Sequence, residues 1–170
     1  MDRAIDEAAM DRLVIEHLPA LMRFAARLAG SVVDAEDLTQ ETLLRIARSW
    51  QTYRGDAPFR SWAFRILVNV FHDSARNRGQ HEPVPVDAVD TREDRPDQVA
   101  EAEELQRLVA QQVSGLPPRQ REVMVLITYE GFTAQQAAEL LGIEVTNVHA
   151  TLHHARSRLR ESLEKYLANT

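Results

Sequence analysis

The residues of this chain best suited to chemistry are the arginines and polar side chains of its last third. There, LeuProProArgGlnArgGluVal at 116–123 leads through Gly131 and Gly142 to ArgSerArgLeuArg at 156–160. Two short helices joined by a glycine turn, the second with polar and basic side chains facing outward, are the layout of a helix-turn-helix. This pattern indicates DNA binding.

Charge is segregated along the chain. The net charge of −6 argues against a nucleic-acid partner on its own, because basic surface supplies most sequence-independent affinity for phosphate. Residues 54–80, however, carry five arginines against two aspartates, whereas residues 82–104 carry nine acids against two arginines. Nineteen of the twenty basic residues are arginine, which favours planar, bidentate or stacking contacts with phosphates and bases. The arginine-rich segment is therefore a second candidate for nucleic-acid contact.

Several other kinds of site are poorly supported. The absence of cysteine rules out disulfides, thiol catalysis and cysteine-ligated zinc. His149 and His153 are four residues apart, but without a third ligand nearby we interpret them as surface histidines of a DNA-facing helix. The sequence contains no nucleophile–base pair, phosphate-binding glycine loop or catalytic carboxylate pair. We expect no enzymatic activity, no metal and no cofactor.

Hydropathy indicates the compartment. With 44% hydrophobic residues, the chain can build cores of ordinary size. No apolar run approaches the roughly 20 residues needed to span a bilayer, and charged residues at 2, 3, 6 and 7 replace the apolar core of a signal peptide. We expect a cytoplasmic protein with no membrane insertion of its own.

Three helices are predicted in the N-terminal part. Apolar residues recur at three- and four-residue steps over about 9–29, in a helix that Pro19 bends or interrupts and Gly30 ends. Asp34 is expected to cap a second helix that runs to about residue 50. After a turn rich in glycine and proline, a third amphipathic helix covers about 59–78.

The C-terminal part is predicted to be helical as well, and it follows a proline-rich acidic linker. Its helices are expected at about 98–114, 117–129, 133–142 and 145–167. Thr133 with Gln136 forms the sequence signature of a capping box. There is no strand signal and no internal repeat. The fold class is all-α, with two small helical domains, 1–79 and 98–170, joined by a flexible linker at 80–97.

Two sets of motifs, in order along the chain, carry a family resemblance. The N-terminal motifs are AspAlaGluAspLeuThrGlnGluThrLeuLeuArg at 34–45 and PheArgSerTrpAlaPheArgIleLeuValAsnValPheHisAspSerAlaArg at 59–76; the C-terminal motifs are those at 116–123, 130–133, 137–143 and 156–160. With them the chain resembles the extracytoplasmic-function group of bacterial sigma factors, the small two-domain initiation subunits of RNA polymerase. The resemblance implies three partners: core RNA polymerase, promoter DNA and an anti-sigma factor.

The second predicted helix resembles the segment that docks on the clamp helices of the polymerase's largest subunit. The resemblance implies polar contacts around an apolar anchor, Leu38 or Leu44. The full set of polymerase-binding candidates is Asp37, Leu38, Gln40, Glu41, Leu44 and Arg45. The pattern alone favours a solvated helix face, because acids in the first turn interact favourably with the helix dipole without any partner.

The third predicted helix resembles the part that captures and melts the minus-ten promoter element. Melting needs flat side chains to receive unstacked bases and positive charge to hold the single strand. The candidates are Tyr53, Arg54, Arg60, Arg65, Asn69, Arg76 and Arg78. Phe59 and Trp62 fall on the apolar stripe and are expected in the core. The alternative for the polar face is a surface network between Arg65 and Asp73, although it leaves the local arginine excess unexplained.

The linker has two interpretations. Its composition is typical of a solvated tether. The resemblance instead implies that it threads the positively charged active-site channel of the polymerase and imitates nucleic acid. The candidates for that mimicry are Asp87, Asp90, Glu93, Asp94 and Asp97.

The helix-turn-helix resembles the domain that binds the minus-thirty-five element in the major groove. The DNA-binding candidates are Thr133, Thr146, Asn147, His149, Thr151, His153, Arg156 and Arg160. Where the family usually has Lys, Arg and a later Arg, this chain has His149, Thr151 and His154. Three usual cations are thus replaced by groups mostly neutral at pH 7, so minus-thirty-five binding is expected to be weaker, differently specific or more pH-dependent.

Two functions from different classes follow. The first is a working initiation factor that binds core polymerase and promoter DNA under the control of an anti-sigma factor. The alternative is a sigma-like interaction module that titrates an anti-sigma factor without reading promoters, which the unusual recognition helix favours. A dimeric helix-turn-helix repressor is a third possibility, but it leaves the N-terminal motifs unexplained.

Overall fold

Every element in the part of the chain that the structure describes is helical. The computed structural model describes the backbone of residues 6–78 and 97–168, and side chains at 6–76, 106–166 and 168. The elements are α1 (Glu7–Ala29), α2 (Val32–Ser49), a 3₁₀ turn (Trp50–Thr52), α3 (Phe59–Arg78), α4 (Asp97–Ser114), α5 (Pro118–Met124), a π-helical turn (Val125–Tyr129), α6 (Ala134–Leu141) and α7 (Val145–Ala168). We call α1–α3 the N-terminal block and α4–α7 the C-terminal block. The all-α prediction is confirmed.

Local signals explain the ends of α1. The Asp6 carboxylate accepts a hydrogen bond from the Ala9 amide at 2.7 Å and caps the helix. Gly30 ends it with a φ of 81°, a left-handed conformation that glycine adopts without steric cost. Pro19 lies inside the helix, which continues past it. The ending was predicted correctly, and an interruption at Pro19 does not occur.

The start of α2 differs from the prediction. Ser31, not Asp34, is the cap: its Oγ accepts a hydrogen bond from the Asp34 amide at 3.1 Å, and the helix begins at Val32. Serine caps helices as well as aspartate does, and Ser31 is the first suitable residue after Gly30. Asp34 instead lies in the first turn, where its charge interacts favourably with the helix dipole.

The C-terminal block confirms the predicted turn signals with one exception. Thr133 and Gln136 form the capping box at 3.2 and 2.9 Å, and Gly142 ends α6 with a φ of 65°. The exception is the predicted helix at 117–129, whose last turn is π-helical: the Glu130 amide donates to the carbonyl of Val125, five residues back, at 3.0 Å. Apolar spacing cannot distinguish an α-turn from a π-turn, so the sequence did not indicate this change.

The two blocks share one core. The rings of Phe24 and Phe64 stack at 4.5 Å within the N-terminal block, and Phe132 of the C-terminal block lies 5.7 Å from Phe64. Buried residues from Met10 to Ala155 form a single cluster through this contact. The predicted linker residues 80–96, including four of the five mimicry candidates, lie outside the described residues, whereas Asp97 is the first residue of α4. Within the described helices, none is long and apolar enough to cross a membrane.

Candidate nucleic-acid interface

The helix-turn-helix is formed by α6, the Gly142 turn and α7. One stripe of α7 is buried in the core through Val148, Leu152 and Ala155, which fixes the orientation of the helix. The remaining face is directed to solvent and carries most of the predicted DNA-binding residues: Thr146, Asn147, His149, His153, Arg156 and Arg160. Thr151 is half-buried beside them, and Thr133 caps α6. The structure therefore presents most of these polar and basic side chains on one solvent-facing side of α7.

The histidines of this face do not form a metal cluster in the part of the chain that is described. No group of three histidine or acidic side chains there could hold a metal ion. The rings of His153 and His154 lie 5.9 Å apart in an edge-on arrangement, and both are exposed. Their position is that of surface histidines on the recognition helix.

The polar face of α3 holds the minus-ten candidates Arg65, Asn69 and Arg76, all of which are exposed. Asp73 on the same face accepts hydrogen bonds from Arg76 and, at 2.7 Å, from Arg45 of α2. These two guanidinium groups lower the pKa of Asp73. The alternative of an Arg65–Asp73 network is wrong, because the Arg65 guanidinium instead donates to the Glu139 carbonyl of α6 at 3.0 Å.

The turn before α3 contributes Tyr53 to a cluster of aromatic side chains. Tyr53 is half-buried, and its ring lies 5.6 Å from that of Phe59 and 5.2 Å from that of Trp62. Its hydroxyl donates to the Ala57 carbonyl at 2.9 Å. Phe59 is buried and Trp62 packs against the core, as predicted from the apolar stripe. Arg54 is exposed at the tip of this turn, whereas the side chain of Arg78 lies outside the described residues.

The outer face of α2 carries most of the predicted polymerase-binding residues. Asp37, Gln40 and Leu44 are exposed, and Glu41 and Arg45 are half-buried and joined at 2.9 Å. The prediction that Leu38 could be the apolar anchor is wrong. Leu38 is 4% exposed and belongs to the core, so it does not face outward. Leu44 is 50% exposed and is the apolar residue that this face presents.

Sequence reasoning missed a buried carboxylate at the contact between the blocks. The side chain of Glu130 is 4% exposed and lies between two arginines of the N-terminal block, Arg27 at 3.1 Å and Arg60 at 2.6 Å. Arg60 also donates to the Glu130 backbone carbonyl at 2.8 Å, and its guanidinium lies 4.9 Å from the ring centres of Phe64 and Phe132. No local signal reveals this site, because Arg60 and Arg27 lie 70 and 103 residues before Glu130 in the chain.

A second buried carboxylate, Glu122 of α5, also joins the blocks. Its side chain is fully buried, and its two oxygens lie 2.6 Å from His72 Nε2 of α3 and 3.1 Å from Arg119. Burial raises the pKa of Glu122, because desolvation disfavours the charged form; the nearby positive charges of His72 and Arg119 oppose the shift. Beside it, an open cleft between α3 and α5 is lined by Arg45, Asn69, His72, Asp73, Ala75, Arg76, Pro118, Arg119 and Glu122.

Replacing Glu122 by glutamine is expected to change how stability depends on pH. A carboxyl whose pKa is raised on folding stabilises the folded chain at pH values below its pKa in the unfolded chain, here 4.5. That stability is lost as the pH rises through the pKa in the folded chain. The Glu122→Gln variant lacks this loss, so its free energy of unfolding should rise relative to that of the wild type as the pH increases above 4.5. Urea unfolding across this range measures the difference. Glu139→Gln, at an exposed position, is the control and should follow the wild type; two parallel curves for Glu122→Gln would contradict the prediction.

Comparison with known proteins identifies both blocks. Residues 13–81 match the Sigma-70 region 2 family and residues 106–159 match the Sigma-70 region 4 family. The chain is 35% identical to the ECF RNA polymerase sigma factor SigE of Mycolicibacterium smegmatis, over 99% of this chain and 68% of that protein. It is 36% identical to the ECF RNA polymerase sigma factor SigL of Mycobacterium tuberculosis, over 95% and 93% of the two chains.

A solved structure agrees with these relatives. The co-crystal structure of the sigma factor RpoE with the anti-sigma factor NepR from Bartonella quintana superposes with a TM-score of 0.74 at 27% identity, over 91% of this chain and 96% of that one. The fold and the two motif regions define a protein of the Sigma-70 class. Within that class, the chain belongs to the extracytoplasmic-function RNA polymerase sigma factors.

Membership settles the choice between the functions left open by the sequence. The chain is a sigma factor that associates with core RNA polymerase and directs promoter-specific initiation of transcription. Relatives that align along nearly the whole chain are sigma factors, which favours this function over the interaction module. The repressor hypothesis is wrong, because it has no place for region 2.

Proposed function

We propose that the two blocks divide the work of promoter recognition, with residues 1–79 binding core polymerase and the minus-ten element and residues 98–170 binding the minus-thirty-five element. The observation that carries this proposal is the exposure of two separate polar and basic faces, one on α3 and one on α7. Each is oriented by a buried apolar stripe on its own helix, so that the outward side chains are presented on a rigid element.

On α3, the proposed role is capture of the opened minus-ten strand. Asn69 can hydrogen-bond a base edge, while Arg65 and Arg76 can bind phosphates on either side of it. Arg60, Arg54 and Arg78 extend the positive charge, and the half-buried ring of Tyr53 provides a flat surface for an unstacked base. The arrangement combines stacking, charge and one group able to read a base.

On α2, we propose docking to the polymerase through Leu44 surrounded by Asp37, Gln40, Glu41 and Arg45. An exposed leucine within a ring of polar groups is the composition of a small interface centre with a polar rim. The pairing of Arg45 with Asp73 ties this surface to α3 at 2.7 Å. Polymerase contact at α2 is thereby connected to the helix that receives the DNA.

Control by an anti-sigma factor is supported by the RpoE structure, in which a similar sigma factor is bound by the anti-sigma factor NepR. We propose that this chain is controlled in the same way, in the cytoplasm. We assign it no catalytic residue, metal or cofactor, since its proposed surfaces act by binding DNA and polymerase alone.

Transcription in vitro tests the proposal. The chain is mixed with core polymerase and a library of genomic DNA fragments, and the transcripts are sequenced to recover their start sites. Initiation at a set of fragments that share two spaced motifs is expected. Initiation at fragments that share only one motif, or none, would contradict the division of promoter recognition between the two blocks.

Binding to the minus-thirty-five element is expected to strengthen as the pH falls from about 7.5 to about 6, the range in which histidine gains positive charge. His149 and His153 are exposed on α7, and each added phosphate contact is worth about fivefold in affinity at about 0.15 M salt. Fluorescence anisotropy of the full chain with a labelled duplex measures the effect. Because His154 is exposed beside His153, the triple variant His149→Gln, His153→Gln, His154→Gln should lose the pH dependence; its persistence would remove these histidines from the interface.

A further inference from the structure

The solvent-facing side of α1 carries a row of apolar side chains. Ile15, Pro19, Met22 and Ala26 follow one another at steps of four, three and four residues, so they lie on one face of the helix over about 16 Å. All four are exposed, Ile15 by 71% and Met22 by 52%. We call these four residues the α1 stripe. None of them belongs to the core, which α1 contacts through its other side.

The spacing of the α1 stripe is that of a contact between helices. Alternating steps of three and four residues are those of the a and d positions that form the seam of a coiled coil. Within the part of the chain that the structure describes, α2 and α3 pack against the other side of α1, and the stripe is left uncovered. Single exposed apolar residues are common on protein surfaces, whereas a row of them marks an interaction surface. The stripe therefore fits a second helix laid along it.

Two opposite charges border the α1 stripe along one edge. Glu16 follows Ile15 and Arg23 follows Met22, and both charged side chains are exposed. They are seven residues apart, which places them on the same edge and about 10 Å apart along the helix axis. At that separation they do not pair with each other, and neither belongs to an ion pair among the described residues. The edge therefore offers one negative and one positive charge to a partner.

A second copy of the chain matches both charges when its α1 lies antiparallel across the stripe. With the two-fold axis beside Pro19, Glu16 of each copy lies level with Arg23 of the other copy, on the same edge of the contact. Ile15 of each copy then lies between Met22 and Ala26 of the other. A two-fold contact joins the same patch on both copies, so it requires a patch that is complementary to itself. The α1 stripe meets this requirement in apolar character and in charge.

We propose that two copies of the chain associate through the α1 stripe as an antiparallel dimer. A contact of one exposed helix face on each copy is smaller than the interfaces of permanent dimers, so the dimer forms and dissociates with concentration. The stripe contains none of the residues that we assign to polymerase or promoter DNA. Failure of this proposal therefore leaves the proposed function untouched, and failure of the proposed function leaves the dimer.

The first test is analytical ultracentrifugation of the full chain from about 5 to about 500 µM, a range that detects weak contacts of this size. The wild type should shift from monomer to dimer. Ile15→Lys should raise the dissociation constant at least about tenfold, because it places an unpaired charge in the contact. Gln135→Lys adds the same charge at an exposed position of α6 and should associate like the wild type.

A wild type that stays monomeric over this range would overturn the proposal, as would equal association of Ile15→Lys and the wild type. If the wild type is monomeric and Ile15→Lys no longer binds core polymerase, the stripe is a polymerase contact instead. Because Ile15 is exposed, Ile15→Lys should fold normally, which circular dichroism checks.

Exchange of the two charges tests the proposed pairing. Glu16→Arg alone brings two arginines together at both pairs of the dimer, and Arg23→Glu alone brings two glutamates together. Each variant should therefore dimerise about tenfold more weakly than the wild type. An equimolar mixture of the two variants forms both pairs again with the charges exchanged, so it should recover the wild-type affinity as a mixed dimer. A mixture that associates no better than its components would overturn the proposal.

Cross-linking tests the antiparallel direction. The chain has no cysteine, so Pro19→Cys and Ala8→Cys each introduce one thiol at an exposed position of α1. The two thiols of a Pro19→Cys dimer lie beside the two-fold axis, within reach of a short bifunctional maleimide, whereas those of Ala8→Cys lie about 34 Å apart along the helices. Cross-linking of Pro19→Cys and not of Ala8→Cys is expected. Cross-linking of Ala8→Cys, or of neither variant, would overturn the proposed dimer.

Discussion

Replacing Asn69 by alanine is expected to slow promoter opening about tenfold to a hundredfold while binding to core polymerase stays unchanged. Asn69 is exposed on α3, and its side-chain amide makes no hydrogen bond to another side chain or backbone group among the described residues. A side-chain amide that reads a base contributes roughly 1–3 kcal/mol, which corresponds to this range of rates if the contact forms as the strand opens. Opening is followed with a fluorescent base in the minus-ten element, and polymerase binding by competition with the labelled wild type.

The matched control is the same substitution in the other block. Asn147 is exposed on α7, so Asn147→Ala should weaken binding to the closed promoter and leave the opening rate of bound complexes unchanged. The two asparagines therefore separate recognition of the two promoter elements. Opening at the wild-type rate in Asn69→Ala, or loss of polymerase binding with it, would contradict the assignment of Asn69 to the opened strand.

Replacing Phe64 by alanine is expected to lower the free energy of unfolding by about 3–5 kcal/mol, the usual range for a buried phenylalanine. Phe64 is fully buried, stacks on Phe24 and contacts Phe132 across the blocks. Since its ring belongs to the shared core, the loss should weaken both blocks together. Urea unfolding followed by circular dichroism and by the fluorescence of the N-terminal tryptophans measures it.

Ile15→Ala is the control for this substitution. Ile15 is 71% exposed, and exposed positions of this kind usually change stability by no more than about 0.5 kcal/mol. A loss below about 1 kcal/mol in Phe64→Ala, or two separate unfolding transitions in the wild type, would show that the blocks do not share a core in solution.

The features that sequence predicted well are those fixed by neighbouring residues. Gly30 and Gly142 end helices because the left-handed conformation required there favours glycine, and Thr133 with Gln136 forms a capping box from side chains three positions apart. The outward face of α7 was also predictable, since apolar residues at helical spacing determine which side is buried. Ser31 shows the limit of such signals. Ser31 and Asp34 are both acceptable helix caps and lie three residues apart, so the sequence alone did not decide between them.

The features that sequence could not predict depend on contacts between distant parts of the chain. Leu38 and Leu44 are equally apolar, and only the packing of α2 buries one and exposes the other. Glutamate usually lies on the surface, and the burial of Glu130 and Glu122 is compensated by partners on other helices. The motif at 116–123, which contains Glu122, indicated the family, but it did not predict the contact between Glu122 and His72.

The shared core has a consequence for the lifetime of the factor in a cell. When the blocks separate, the rings of Phe64 and Phe132 lose their mutual cover, and an open chain without a partner presents this apolar surface to proteases and to other unfolded chains. Molecules whose blocks are packed together keep it covered. Turnover should therefore remove preferentially those molecules whose blocks have separated, so that the lifetime of the factor follows the stability of the shared core.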